Sequence, residues 1–280
     1  MALVAALITV VLWASAFVGI RAAGEDLSPG ALSLGRLAIG SVVLGALVLA
    51  RSGRMPGRAQ LPLLLVCGVL WFGLYNIALN EAERRVDAGT AAMLVAVGPI
   101  VIAVLAGFLL HEGFPRMLLV GCAIAFVGVV IIGLATSERG VAAGWGAVLC
   151  LAAAAFYAGA VVAQKPLLSQ ASAAHVTWLA CLIGAAVCLP FASTLFDELG
   201  RADGSSIAWM VYLGIFPTAV AFTTWAYALA RTTAGRMGAM TYLAPPVAIL
   251  LSWAILSETP ELLAFVGGGL CLAGVVTTRR

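Results

Sequence analysis

Charge is what this sequence lacks most. Only 10% of its 280 residues are Asp, Glu, Lys or Arg, while 63% are hydrophobic. Soluble domains carry about 25% charged residues, so this chain cannot cover its apolar surface in water. Lipid is the expected solvent for most of it. The shortage reaches the chemistry as well. Cys67, Cys122, Cys150, Cys181, Cys188 and Cys271 all lie in apolar runs, with no CxxC and no histidine at metal spacing. They read as small packing residues, and neither a metal nor a cofactor is expected. No Asp or Glu falls deep within an apolar stretch, so no buried carboxylate relay and no nucleophile–base pair is visible. Basic residues do not cluster on a polar face, which argues against a nucleic-acid partner. No Lys or Arg precedes the first apolar run, so the basic region of a secretory signal is missing despite "ASA" at 14–16, and residues 2–20 are expected to stay as a span.

What is present is a series of long apolar runs. A membrane helix needs about 20 mostly apolar residues. Ten stretches qualify: 2–20, 31–50, 61–79, 88–110, 117–136, 144–164, 175–196, 207–230, 234–256 and 262–278. The runs are continuous, not alternating, which selects helices over barrel strands. Ser28-Pro29 supplies an N-cap and a helix-starting proline, and Pro62, Pro115 and Pro260 stand at similar positions. With a cytoplasmic N-terminus, nine basic residues fall inside (Arg51, Arg54, Arg58, Arg116, Lys165, Arg231, Arg236, Arg279, Arg280) and five outside (Arg21, Arg84, Arg85, Arg139, Arg201). That bias places both termini in the cytoplasm.

The chain also repeats itself. "GPIVIAVLAGFLLHE" at 98–112 aligns without a gap on "APPVAILLSWAILSE" at 244–258, matching Pro99, Val101, Leu105, Leu110 and Glu112 to Pro245, Val247, Leu251, Leu256 and Glu258. "FGLYNIAL" at 72–79 aligns on "FTTWAYAL" at 222–229, and Gly121, Gly128 and Val129-Val130 on Gly267, Gly274 and Val275-Val276. Five spans per half put the second half upside down relative to the first. The expected fold is therefore an all-α integral membrane protein: ten transmembrane helices as two inverted five-helix repeats, residues 1–136 and 144–278, around a central cavity. Such a repeat has two nearly equivalent packings, one open to each side, with substrate bound where the repeats meet. A single chain supplies both halves, so the sequence is compatible with a monomer.

Candidate site residues follow from the polar and aromatic inventory. Trp13 and Phe17 are four apart and share a helix face, as do Phe72, Asn76 and Asn80. With Tyr75, Met93, Phe156, Tyr157, Phe222, Trp225 and Tyr242 they form the expected substrate-binding set, a ring-lined cavity with a few hydrogen-bonding tips suited to a small amphiphilic solute. Trp71 has no clear place by periodicity. Pro99 and Pro245, mid-span in the paired helices, are expected hinges, because proline removes a backbone donor there. Glu112 and Glu258 stand at span ends and read as anchors ahead of transport groups. Arg36, about 10 Å into its helix at 1.5 Å per residue, is expected to snorkel or to pair with Glu81, Glu83 or Asp87 ahead of touching substrate.

"WASAFVGIR" at 13–21, "GRLAIGSVVL" at 35–44 and the two proline-to-glutamate helices resemble the EamA-type drug/metabolite transporters over nearly the whole chain. The resemblance implies the ten-helix inverted repeat and efflux across the bacterial inner membrane, and the length and aromatic content are similar to exporters of aromatic amino acids within that family. Only the loosely similar "AFYAGA" at 155–160 answers "WASAF" in the second half, so spans one and six are not expected to be strictly symmetric. The expected function is a secondary transporter exporting amino acids, aromatic ones included, by alternating access. A multidrug or other metabolite carrier of the same fold is the alternative. A channel would need a filter or charged rings, and an enzyme would need the site that is missing above.

Overall fold

The structure, a computed structural model, describes residues 1–50, 52–86, 91, 94–136, 144–256 and 262–278, and holds no strand among them. A continuous apolar run in lipid has no water to satisfy its N–H and C=O groups, so it must close its own hydrogen bonds. The helices that result are α1 (Ala2–Ala23), α2 (Pro29–Ala50), α3 (Arg58–Glu83), α4 (Gly98–Leu109), α5 (Arg116–Thr136), α6 (Trp145–Leu167), α7 (Ala173–Leu199) and α8 (Gly204–Leu229). They are followed by α9, in consecutive segments Ala234–Met240, Thr241–Leu243 and Ala244–Leu256, and by α10 (Leu262–Thr277). Among the described residues six helices (α1, α2, α3, α6, α7 and α8) are long and apolar enough to cross a membrane. The outward faces carry Val42, Leu49, Phe108, Phe196 and Leu262, each more than half exposed. Such a surface would drive aggregation in water and is the solvated face in lipid.

The packing partners form a regular scheme. Helix α2 lies on α7, α4 on α9, and α5 on α10; α1 packs on α8 as α6 packs on α3, and α2 on α8 as α7 on α3. Without a hydrophobic drive between helices in lipid, close approach depends on small residues. The α5–α10 seam is the clearest case. A Cβ on Gly121 would lie 2.6 Å from the Gly274 carbonyl oxygen, and one on Gly128 only 2.5 Å from that of Gly267. The four glycines aligned by the repeat thus meet crosswise, Gly121 against Gly274 and Gly128 against Gly267, as an antiparallel pair of helices requires.

Hydrogen bonds between loops assign the two ends of the bundle. The Ser172 N–H donates to the Arg54 carbonyl at 3.0 Å, and the Gln60 side chain bonds that of Gln170. The Lys165 ammonium donates to the Leu229 and Thr232 carbonyls. At the opposite end Asp26 Oδ2 accepts from Ser206 Oγ at 2.7 Å and the Asp203 N–H at 3.0 Å, and Glu198 accepts from the Ser28 N–H at 2.8 Å. Arg54 and Lys165 therefore share one end. Arg51, Asp87, Arg139, Glu258, Arg279 and Arg280 lie outside the described residues.

Candidate functional site

Helical regularity fails in the interior, and a cavity forms there. In α3 the stretch Gly68–Tyr75 is π-helical, as is Gly214–Val220 of α8, which contains Pro217. Helix α9 tightens to a 3₁₀ turn over Thr241–Leu243 just before Pro245-Pro246, and α4 starts after a turn at 96–97 with Pro99 in its first turn. Side chains compensate the backbone at the π-helical stretches. Asn76 Nδ2 donates to the Trp71 and Phe72 carbonyls at 3.1 and 2.9 Å, and Trp13 Nε1 donates to the Pro217 carbonyl at 3.2 Å. Proline and π turns are tolerated at membrane depth when neighbours satisfy the freed groups in this way.

The cavity holds about 110 Å³. Helix α1 contributes Trp13, Ala16, Phe17 and Ile20, and α2 contributes Arg36. Trp71, Tyr75, Asn76 and Leu79 come from α3, Val95, Ala96 and Pro99 from the α4 region, and Tyr157 from α6. Phe222 of α8 and Thr241, Tyr242, Ala244 and Pro245 of α9 complete it. The rings interlock. Trp71 lies 4.9 Å from Phe222, 5.3 Å from Tyr157 and 5.9 Å from Trp13, in edge-on or tilted geometries. Such pairs add about 0.5–1.5 kcal/mol each beyond area burial, so the ring wall is a stiff element. A cavity of about 150 Å³ holds benzene, so a solute of that size requires these walls to move apart in this conformation.

The residues singled out from sequence divide among several locations. Trp13, Phe17, Tyr75, Asn76, Tyr157, Phe222, Tyr242, Pro99 and Pro245 are brought together in the lining. Phe72 and Trp225 stand behind it, fully buried: Phe72 stacks on Phe222 at 4.3 Å, and Trp225 lies 5.0 Å from Trp13 with its indole N–H on Gln164 Oε1 at 3.2 Å. Asn80 sits one turn beyond Asn76, donating to Ser33 Oγ at 3.0 Å and lining a separate cavity with Arg21, Glu83 and Arg84. Phe156 packs beside Tyr75 on a small cluster of Ala78, Leu79 and Ala153. Met93 lies outside the described residues.

Trp71 and Arg36 were not anticipated in the lining. A 3.6-residue period cannot place Trp71, because the π-helical turns shift the phase of α3 before Asn76. Arg36 makes no ion pair among the described residues; its Nε donates to Thr218 Oγ1 at 3.2 Å. Snorkelling is closed to it because residues 29–37 are all buried, with Gly30, Gly35 and Gly40 pressed against Phe191, Met210 and Thr218. That glycine spacing was the available signal. Glu112 is an anchor: its carboxylate accepts from the Ala234 and Gly235 N–H groups at 2.7 and 3.2 Å and caps α9.

A family model described as the EamA-like transporter family matches residues 1–134 and, a second time, 144–280. The chain belongs to the EamA-like transporter family. It is a multi-pass membrane transporter of small molecules and not an enzyme. This EamA-like chain is similar to a probable terminal-alkyne amino-acid exporter of Streptantibioticus cattleyicolor, 35% identical over 99% of this chain and 92% of the relative. It is 31% identical to the uncharacterised transporter YdfC of Bacillus subtilis, over 95% of this chain and 87% of the relative. A probable amino-acid metabolite efflux pump of Escherichia coli K12 is 25% identical over 97% and 92% of the two chains. Among the solved structures that match, a crystal structure shares the fold of this chain with a TM-score of 0.81 and 22% identity, covering 99% of this chain and 95% of the other.

Proposed function

We propose that this protein exports amino acids, aromatic ones included, from the bacterial cytoplasm across the inner membrane by alternating access. The observation that carries the reading is the ring-lined interior cavity with polar tips at Asn76, Tyr157, Thr241 and Tyr242. It is built where α3, α4, α8 and α9 depart from regular helix, the kind of discontinuity at which transporters place substrate. The names of the amino-acid exporter and efflux-pump relatives agree with it.

We further infer that residues 1–136 and 144–278 are two inverted five-helix repeats making ten spans. The packing scheme supports this, since exchanging each helix with the one five positions away reproduces the same set of partners. The two separate family matches support it too. Both termini are then cytoplasmic, from the surplus of basic residues on that side. Trp13, Phe17, Tyr75, Asn76, Tyr157, Phe222 and Tyr242 contact substrate, Phe72 and Trp225 hold the ring wall, and Pro99 and Pro245 flex.

The test is flux in liposomes carrying the purified protein, with labelled tryptophan, phenylalanine and threonine, with and without a pH gradient. Protein-dependent movement of at least one is expected; none for any of them refutes the substrate class. The apolar majority of the lining also suits a multidrug or other metabolite carrier, and protein-dependent movement of lipophilic dyes in place of amino acids would select it.

A further inference from the structure

Among the described residues the cavity has one charged side chain and no counter-ion in contact with it. Arg36 is 5% exposed and lines the cavity, with its Nε on Thr218 Oγ1 at 3.2 Å. No other hydrogen bond from this guanidinium and no carboxylate within 4.0 Å of it occur among the described residues. Glu83 acts on it electrostatically, from a separate cavity and without contact. A buried guanidinium at membrane depth is costly unless paired, so the site is least favourable when empty and gains most from an anion. Helix α4 (Gly98–Leu109) begins beside the same cavity, with Pro99 in its lining, and directs the positive end of its dipole there. Two further polar groups line the same space: the Tyr242 hydroxyl, on a residue 1% exposed, has no partner among the described residues, and the Tyr157 hydroxyl, on a residue 5% exposed, has only Thr241 beside it. Buried polar groups are in general paired; Asn80 Oδ1, Glu83 Oε1, Gln164 Nε2 and Thr177 Oγ1 also lack a partner among the described residues, but lie outside this lining or, for Asn80 and Glu83, in the separate cavity.

We propose that Arg36 is the carboxylate anchor of the transported solute and that the Tyr157 and Tyr242 hydroxyls receive its amino group. The inference rests on the amino-acid reading above and narrows it to amphiphiles that carry a carboxylate and a second hydrogen-bonding group. A planar guanidinium takes a carboxylate by two parallel hydrogen bonds through its free Nη groups. Thr218 holds the guanidinium from the π-helical stretch of α8 and acts as its positioning residue. The apolar side chain of the solute then meets the rings of Trp13, Trp71 and Phe222.

Binding to the full chain in detergent tests this, read by intrinsic tryptophan fluorescence with phenylalanine, 3-phenylpropionate (no amine) and phenylalanine amide (no carboxylate). Losing a charge-assisted hydrogen bond corresponds to roughly 10- to 100-fold in affinity. Wild-type protein is expected to prefer both carboxylates over the amide by at least about tenfold. Arg36→Gln should abolish that preference and Arg36→Lys should keep part of it. Thr218→Val should weaken the carboxylates selectively. Tyr157→Phe with Tyr242→Phe should weaken phenylalanine more than 3-phenylpropionate. An unchanged preference in Arg36→Gln overturns the proposal. So does an equal loss for all three ligands in folded Arg36→Gln protein, which assigns Arg36 to packing. Should Arg36→Gln not fold, unchanged preference in both Arg36→Lys and Thr218→Val overturns it. Liposome flux separates the two readings. Amino acids carried with no carboxylate preference remove the anchor and leave export standing; a carboxylate preference that depends on Arg36, without amino-acid flux, removes export and leaves the anchor.

Discussion

Replacing Glu112 decides between a structural and a proton-carrying role for the repeated helix-end glutamate. The chain takes left-handed backbone on either side of it, with φ of 55° at His111 and 71° at Gly113. That bend carries the carboxylate across to the start of α9. There it accepts from the Ala234 and Gly235 N–H groups at 2.7 and 3.2 Å, while Thr233 Oγ1 accepts from the Arg236 N–H at 3.3 Å. Three of the four N–H groups that a helix start leaves unpaired are thereby satisfied. Losing a side-chain cap costs about 1 kcal/mol, and losing the negative charge at the helix start adds roughly 0.3–1 kcal/mol. Glu112→Ala should therefore cost about 2 kcal/mol, and Glu112→Gln, which keeps one carbonyl acceptor, about 1 kcal/mol. For a chain of 280 residues these correspond to falls in Tm of roughly 3–4 °C and about 2 °C. Thermal unfolding in detergent, followed by tryptophan emission, measures both. Flux in liposomes at two pH values should keep its pH dependence in Glu112→Gln. A variant that melts like wild type yet loses the response of flux to pH would refute the cap and make Glu112 a proton carrier.

Gly128→Val places a side chain 2.5 Å from the Gly267 carbonyl, where backbone cannot yield; overpacking of this kind costs about 1–3 kcal/mol, and loss of folded protein on size-exclusion chromatography, with Gly269→Val as the open-space control, checks it. Pro99→Ala and Pro245→Ala should shift the balance of inward- and outward-open forms, read as changed cysteine labelling from each side of the membrane, and identical labelling would remove their hinge role. Asp26, outside the spans, is held below the usual carboxylate value by the Ser206 hydroxyl first and the Asp203 N–H second. Its contribution is therefore present above the ordinary value of 3.8 and is lost as pH falls through the lowered folded value. Hydrogen exchange of residues 203–206 should be slower than in Asp26→Asn protein above that window and converge with it below.

The membrane class, the helical runs and the internal duplication were all legible in the amino-acid order. Each follows from local composition: an apolar run must satisfy its own backbone wherever it lies, so α9 spans the stretch expected for it, and α2, α6 and α10 differ by only a few residues at their ends. That several of the interior rings share a space was legible as well, since Trp13, Phe17, Tyr75, Tyr157, Phe222 and Tyr242 line one cavity. Trp71 was not, because π-helical turns break the period by which a helix face is read. Phe72 and Trp225 differ from their neighbours only in which side of the ring wall they occupy, and that depends on the helix opposite. Arg36 shows the division most plainly. The sequence by itself determines that one guanidinium lies within a span. Only the packing of α2 against α7 and α8 decides that it faces inward, because glycine contacts close the route to lipid and leave the cavity as the one place for its charge.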